Sequence, residues 1–186
     1  GVGHYNGKLI HDSDITINPK VAIPTVEKKV EDVNDSDGTS EWLDSADHDI
    51  NDTVSFKLTA TLPSNVAYYE AYEIAFHDIM SAGLTFNQAS VKVYMYDNKT
   101  DADNALTATG TEVTTSFDLA TEGLATGETF TVTCDNVLDI NGVTKDTVFV
   151  VYYEATLNAD AQIGDKGNPN EVYLEFSNNP YGDGTS

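Results

Sequence analysis

The sequence predicts an all-β sandwich, and three observations carry that prediction. Short runs rich in Val, Thr, Tyr and Phe alternate apolar with polar residues at period two. Turn-forming and acidic stretches separate those runs at short intervals. No stretch sustains a helical period, and only residues 65–71 have the composition of a short helical turn.

The elements follow in order. Residues 1–20 form a turn-rich lead-in, either a linker or the end of a preceding domain, with a strand signal at 14–18. Residues 21–181 form the sandwich domain, and residues 182–186 a glycine-rich tail. Strands are predicted at 23–30, 53–62, 70–79, 90–96, 112–119, 128–135, 146–157 and 171–178. In VSFKLTATL, Val54, Phe56, Leu58 and Ala60 share one face, because side chains alternate across a strand. In VKVYMY, Val91, Val93 and Met95 do the same. VFVVYYEATL begins apolar on both faces, the mark of a strand covered on both sides.

Composition narrows the functional classes. With 186 residues, one domain can bury a proper core. A hydrophobic content of 40% with ten Tyr and seven Phe fits a folded chain, not an acidic disordered tail. The net charge is −22, with 31 acids against nine bases, all of them lysine. Nucleic acid and anionic membrane are therefore excluded as expected partners, since both require a basic surface. The single cysteine, Cys134, allows no intrachain disulfide and shares parity with Phe130 and Val132, as a buried thiol would. No transmembrane run or signal peptide appears, and the chain reads as an excised piece of a longer protein.

Three polar residues fall on apolar strand faces. Lys28 lies between Val26 and Val30. Asp78 follows Tyr72, Ile74 and Phe76. Asn178 follows Val172, Leu174 and Phe176. A buried amine, carboxyl and carboxamide are costly unless they meet. Desolvation disfavours the charged forms of both lysine and aspartate. A neutral Lys28 amine can then attack a carboxamide carbon while a protonated Asp78 polarises the carbonyl and carries the proton to ammonia. The product is a Lys–Asn isopeptide bond, made once and without turnover. Taken singly, each position is a strand-end or turn residue, and a one-residue slip would present Lys29 and Asn179 instead.

The stretches PTVEKKVEDVND, DSADHDINDTVSFKLTATLP, YEIAFHDIMSAGLTF and VVYYEATLNADAQIGDKGNPNEVYLEFSNNP resemble Gram-positive pilin backbone and surface proteins. Specifically, they resemble the fimbrial isopeptide-forming domain of the collagen-adhesin A type. The resemblance spans residues 20–181, and its most specific pieces are F-x-D-x-x-x-x-G-L at Phe76–Leu84 and L-E-F-S-N-N-P at Leu174–Pro180. It implies an immunoglobulin-like β-sandwich with an intramolecular isopeptide bond from a first-strand lysine to a last-strand asparagine, catalysed by an aspartate between them. Carried over by position, these are Lys28, Asn178 and Asp78. It also implies an extracellular, cell-wall-anchored pilus or surface protein, joined to other pilin subunits by sortase. In ITINPKVAIPT, Lys20 falls where that linkage occurs in relatives, but Asn18 replaces the expected tyrosine, and an ordinary linker lysine is the plainer reading.

The expected function is thus a structural domain of a pilus shaft or adhesin stalk, not an enzyme with turnover. The alternative is an adhesin module for host protein or glycan, with Tyr68, Tyr69, Tyr94 and Tyr96 as candidate sugar contacts. No cofactor is expected. Asp35, Asp37 and Glu41 partly echo a calcium loop, and Asp97, Asp101 and Asp103 form a second acidic group, but the full calcium-loop spacing is missing. Solvated charge is the default for both. Trp42, inside the first acidic stretch, reads as a packing anchor. The four histidines lack metal-ligand spacing, and His77 points away from Asp78, which argues against a hydrolase dyad.

Overall fold

The computed structural model describes residues 2–5, 23–33, 40–43, 48–162 and 168–177. Eleven strands run in chain order: β1 (Val2–Tyr5), β2 (Val26–Val33), β3 (Ser40–Leu43), β4 (Thr53–Thr61), β5 (Ile74–Met80), β6 (Leu84–Tyr96), β7 (Thr111–Glu112), β8 (Asp118–Ala120), β9 (Phe130–Cys134), β10 (Val148–Leu157) and β11 (Asn170–Ser177). Among the described residues one α-helix, α1 (Lys99–Asn104), lies between β6 and β7. One sheet has the order β1-β11-β5-β9-β8 and the other β3-β2-β4-β10-β6-β7. Every described strand pair is antiparallel. We call these the first and second sheets.

The period-two residues build the core as alternation requires. Val54, Phe56, Leu58 and Ala60 of β4 and Val151, Tyr153 and Ala155 of β10 meet Ile74 and Phe76 of β5, Phe130 and Val132 of β9, and Val172, Leu174 and Phe176 of β11. Each of these side chains is almost wholly removed from water. At about 25 cal/mol per Å² of buried apolar surface, such a core is the main force holding the two sheets together.

The second apolar face of β10 has a different cover from a neighbouring sheet. Val148 and Val150, with Tyr94, Tyr96 and Tyr152, pack beneath Ala102 and Ala105 of the α1 segment. Lys57 of β4 reaches into this layer and is almost fully buried. Its amine donates to the carbonyls of Ala102 (2.5 Å) and Ala105 (3.2 Å). These carbonyls lie at the C-terminal end of α1, where a cation meets the negative end of the helix dipole. The Trp42 ring covers the amine at 5.8 Å, and its indole N–H donates to Leu106 O. Trp42 is thus a packing anchor.

Several boundaries differ from the sequence expectation. Residues 2–5 are a strand paired with β11, so part of the lead-in extends a sheet. β6 begins at Leu84, not residue 90, because Leu84 and Phe86 pack on the core while Leu84–Asn87 pair with β10, ahead of an exposed stretch at 87–89. The expected strand at 112–119 is broken by a tight turn at Thr114–Ser116, with β7 in the second sheet and β8 in the first. The strand signal at 14–18 lies outside the described residues.

The turn after β5 fixes how β11 starts. A Cβ on Gly83 would lie 2.2 Å from Asn168 Oδ1 and 2.7 Å from Ala161 Cα. Only glycine permits that approach, which explains the glycine of the F-x-D-x-x-x-x-G-L stretch. Ser81 N–H also donates to Pro169 O at 2.9 Å. The chain therefore enters β11 pinned against the end of β5.

Candidate functional site

Pinning β11 there puts Val172 directly across from Asp78 and Asn170 across from Met80. Asn170 has the same parity as Val172, Leu174 and Phe176, so its side chain enters the core and is 3% exposed. Asp78 is completely buried. From the second sheet, Lys28 extends between Val26 and Val30, and its amine donates to the main-chain oxygen of Asn170 at 2.6 Å. Tyr153 descends from β10 onto the same point. Its hydroxyl donates to Asp78 Oδ2 and accepts from Asn170 Nδ2 at 2.8 Å.

Four side chains from four strands thus converge between the sheets. Aromatic rings dry the site. Phe56 stacks on the Tyr153 ring at 5.2 Å, and Phe130 meets it edge-on at 4.9 Å. Phe130 pairs across from Asp78. Burial pushes the Asp78 carboxyl up to about 7, while hydrogen bonds from Tyr153 and Asn170 and the charge of Lys28 pull it back. Burial, reinforced by Asp78, raises the Tyr153 phenol well above its ordinary value. Asp78 Oδ1 and Asn170 Oδ1 are buried and accept no hydrogen bond among the described residues. Orphaned buried acceptors are costly, and a proton on Asp78 relieves that cost.

The structure brings Lys28 and Asp78 together, with Asn170 as the carboxamide beside them. Asn178 lies outside the described residues. Ser177, its neighbour, accepts from Glu73 N–H, five positions before Asp78 on the approach to β5. The end of β11 near Asp78 is therefore its start. Lys29 pairs with Lys57 on the opposite face of β2 from Lys28. Asn179, Lys20, Asp35 and Asp37 also lie outside the described residues. Sequence reasoning missed Asn170 and Tyr153, although strand parity places both on core faces.

The remaining candidates occupy other surroundings. Glu41 is exposed on β3, opposite Asp32. Asp101 accepts from the Asn98 amide, and Asp103 binds Lys99 at 2.7 Å. Among the described residues no group of three His, Cys, Asp or Glu side chains is placed to hold a metal. His77 faces outward between Glu128 (2.9 Å) and Glu175 (2.5 Å) and stacks on Tyr173. Of the four candidate sugar-contact tyrosines, Tyr96 is buried with its hydroxyl on Tyr152. Tyr94 packs edge-on against Tyr152, and Tyr69 against Tyr72. Only Tyr68 stands out, 80% exposed. Among the described residues no helix is long and apolar enough to cross a membrane.

Two antiparallel sheets closing on a polar cluster define the class: an immunoglobulin-like sandwich of the kind found in pilus backbones. Residues 50–180 match the family described as Gram-positive pilin backbone subunit 2, Cna-B-like domain, and the chain belongs to that family. It is 26% identical over 169 residues to the trypsin-resistant surface T6 protein of Streptococcus pyogenes serotype M6, covering 87% of this chain. The chain spans only 27% of that relative's length. Among solved structures, it resembles the pilus backbone protein RrgB of Streptococcus pneumoniae with a TM-score of 0.54 and 20% identity, covering 86% of this chain and 54% of the other. It also resembles the T6 backbone pilin, described as modular and three-domain, with a TM-score of 0.54 and 23% identity over 86% of this chain and 30% of the other. The major pilin BcpA of Bacillus cereus gives a TM-score of 0.51 at 14% identity, over 84% of this chain and 35% of the other. At these identities the structural likenesses speak to the fold.

Proposed function

We propose that this domain is a load-bearing segment of a pilus shaft or surface-protein stalk, locked by a Lys28–Asn170 isopeptide bond that it forms itself. One observation carries the reading: an amine, a carboxyl and a carboxamide from three strands meet at a dry point between the sheets. With the carboxyl at about 7, neutral Asp78 is well populated near neutral pH. The Lys28 amine rests on the main-chain oxygen of the residue whose side chain it attacks. Attack moves Nζ from that oxygen to Cγ of the same residue, and folding has already supplied the proximity, worth roughly 7–11 kcal/mol of barrier. The new C–N bond forms, the C–Nδ2 bond breaks, and the proton lost by Lys28 leaves with ammonia.

The bond would join β2 of the second sheet to β11 of the first. A pull applied at its two residues passes through a covalent link and does not extend the intervening 142-residue span. Polymerisation with other pilin subunits outside the cell follows from family membership, with Lys20 as the proposed sortase-linked lysine. The adhesin reading gains no support from its candidate tyrosines, most of which serve packing.

The test is intact mass spectrometry of the denatured chain followed by peptide mapping. A mass one ammonia below the calculated value, with Lys28 and Asn170 in one branched peptide, is the expected result. An unshifted mass overturns the crosslink.

A further inference from the structure

We infer that Tyr153 is the proton relay to the departing ammonia, a third catalytic side chain of this self-crosslinking reaction. The inference rests on the Lys28–Asn170 reading and adds the route by which the proton travels. Asn170 Nδ2 is the leaving group, and it donates to the Tyr153 hydroxyl at 2.8 Å. The same hydroxyl is bonded to Asp78 Oδ2. The phenol oxygen therefore stands between the acid and the nitrogen that must be protonated to leave.

The two carboxyl oxygens divide the work. Oδ1 accepts no hydrogen bond among the described residues, so it is open to take the proton that Lys28 Nζ gives up. At rest the phenol donates to Oδ2 and accepts from Nδ2. Once attack makes Nδ2 basic the hydroxyl turns, so that Oδ2, carrying the acid's proton, passes it to the phenol oxygen and the phenol passes its own to Nδ2. As the C–Nδ2 bond breaks, the balance closes: the amine and carboxamide become a secondary amide and ammonia, and Asp78 and Tyr153 return unchanged. A relay through a hydroxyl suits this site because the phenol need never persist as phenoxide, which burial strongly disfavours.

The surroundings hold the phenol in place. Its ring is 1% exposed and clamped by Phe56 and Phe130, with Phe86 at 6.2 Å. Tyr153 also sits where β10–β6 pairing shifts register, between Tyr152 and Glu154. Ser90 Oγ accepts the Glu154 N–H there at 2.8 Å, so the main chain stays satisfied beside the irregularity. These contacts fix an aromatic ring, and phenylalanine would satisfy them equally. Among the described residues the hydroxyl answers only to Asp78 and Asn170.

The experiment follows ammonia loss by intact mass in full chains sampled after cell-free synthesis. Wild type should lose one ammonia, and Tyr153→Phe should close about 100-fold more slowly, the scale of a lost general acid. Closure of Tyr153→Phe at the wild-type rate overturns the relay and leaves Asp78 acting directly on the amide. No closure in wild type overturns the underlying crosslink instead. If Tyr153→Phe fails to give the wild-type circular dichroism spectrum, difluorotyrosine in place of Tyr153 decides the matter. Its shape is retained and its hydroxyl is more acidic, so faster closure supports the relay and an unchanged or slower rate overturns it.

Discussion

Asn170→Ala is the sharpest perturbation, because sequence parity and strand register point to different asparagines. The crosslink would close a loop of 142 residues. In the chain-entropy description, restraining a loop of that length removes roughly 17 cal/mol/K from the unfolded ensemble, or about 5 kcal/mol at room temperature. Unfolding entropy near 2.1 cal/mol/K per residue gives about 0.3 kcal/mol/K for a domain of roughly 150 residues. Losing the bond should therefore lower Tm by about 15 °C, with the lost amide hydrogen bond adding roughly 1 kcal/mol more. Intact mass on denatured protein and calorimetry on the same batch read both consequences. Asn170→Ala should show the full calculated mass and the lower Tm. Asn178→Ala should remain one ammonia light and melt like wild type. An Asn170→Ala chain still light by one ammonia, or an Asn178→Ala chain at full mass, would refute the placement of the bond.

Further outcomes follow from the same geometry. Asp78→Ala should keep the wild-type circular dichroism spectrum while bond formation falls by about 10²-fold or more, read from the fraction of chains at full mass. In an uncrosslinked Lys28→Met chain, stability should decline as pH rises from about 4 to 8. With Lys28 present the folded Asp78 carboxyl titrates at about 7 against 3.8 for the free group, and removing the lysine charge lifts it further, so the folded state holds the extra proton throughout that window. A span from 3.8 to about 7 corresponds to roughly 4 kcal/mol, and urea melts at both ends of the range would read the decline. A Lys28→Met/Asp78→Asn control should be flat by comparison. Lys57→Ala should leave the crosslink mass intact yet cost about 2–4 kcal/mol in urea melts, since it empties a packed layer and strips a donor from two helix-end carbonyls.

Much of the sandwich was legible because half-buried strands announce themselves. The alternation in β4, β5 and β10 is the fold's own periodicity, and those strands fall close to their expected ranges. The early part of β6 carried a weaker signal. Leu84 and Phe86 face the core, but Asn87, Gln88 and Ala89 are exposed and break the alternation before Val91. Val113 and Phe117 share parity as a strand would, yet the turn between them carries the chain from one sheet to the other. Helix α1 has a single buried residue, Ala102, and therefore no apolar period to detect.

The site shows the same division between faces and positions along them. Parity identifies which face of a strand Lys28 and Asp78 occupy, and the sequence offers two asparagines of matching parity, Asn170 and Asn178. Choosing between them requires the β5–β11 register, which depends on the Gly83 turn seating Asn168 and Pro169. That is a tertiary contact invisible to any local pattern. Tyr153 was hidden differently, as one aromatic among several in an apolar run, with only its hydroxyl partners to set it apart.

Lys28 and Tyr153 belong to one sheet, and Asp78 and Asn170 to the other. Neither half holds a complete reactive set, so the proposed chemistry must wait until the sheets have docked. A β2 strand slipped by one residue would turn Lys28 outward and present Lys29, so a bond made from that state would map to Lys29. Each Lys28–Asn170 crosslink would thus carry a permanent record that its sheets once met in the native register. In a fibre built from many copies, one branched Lys28–Asn170 peptide per domain becomes a countable certificate of correct folding, written before any load arrives.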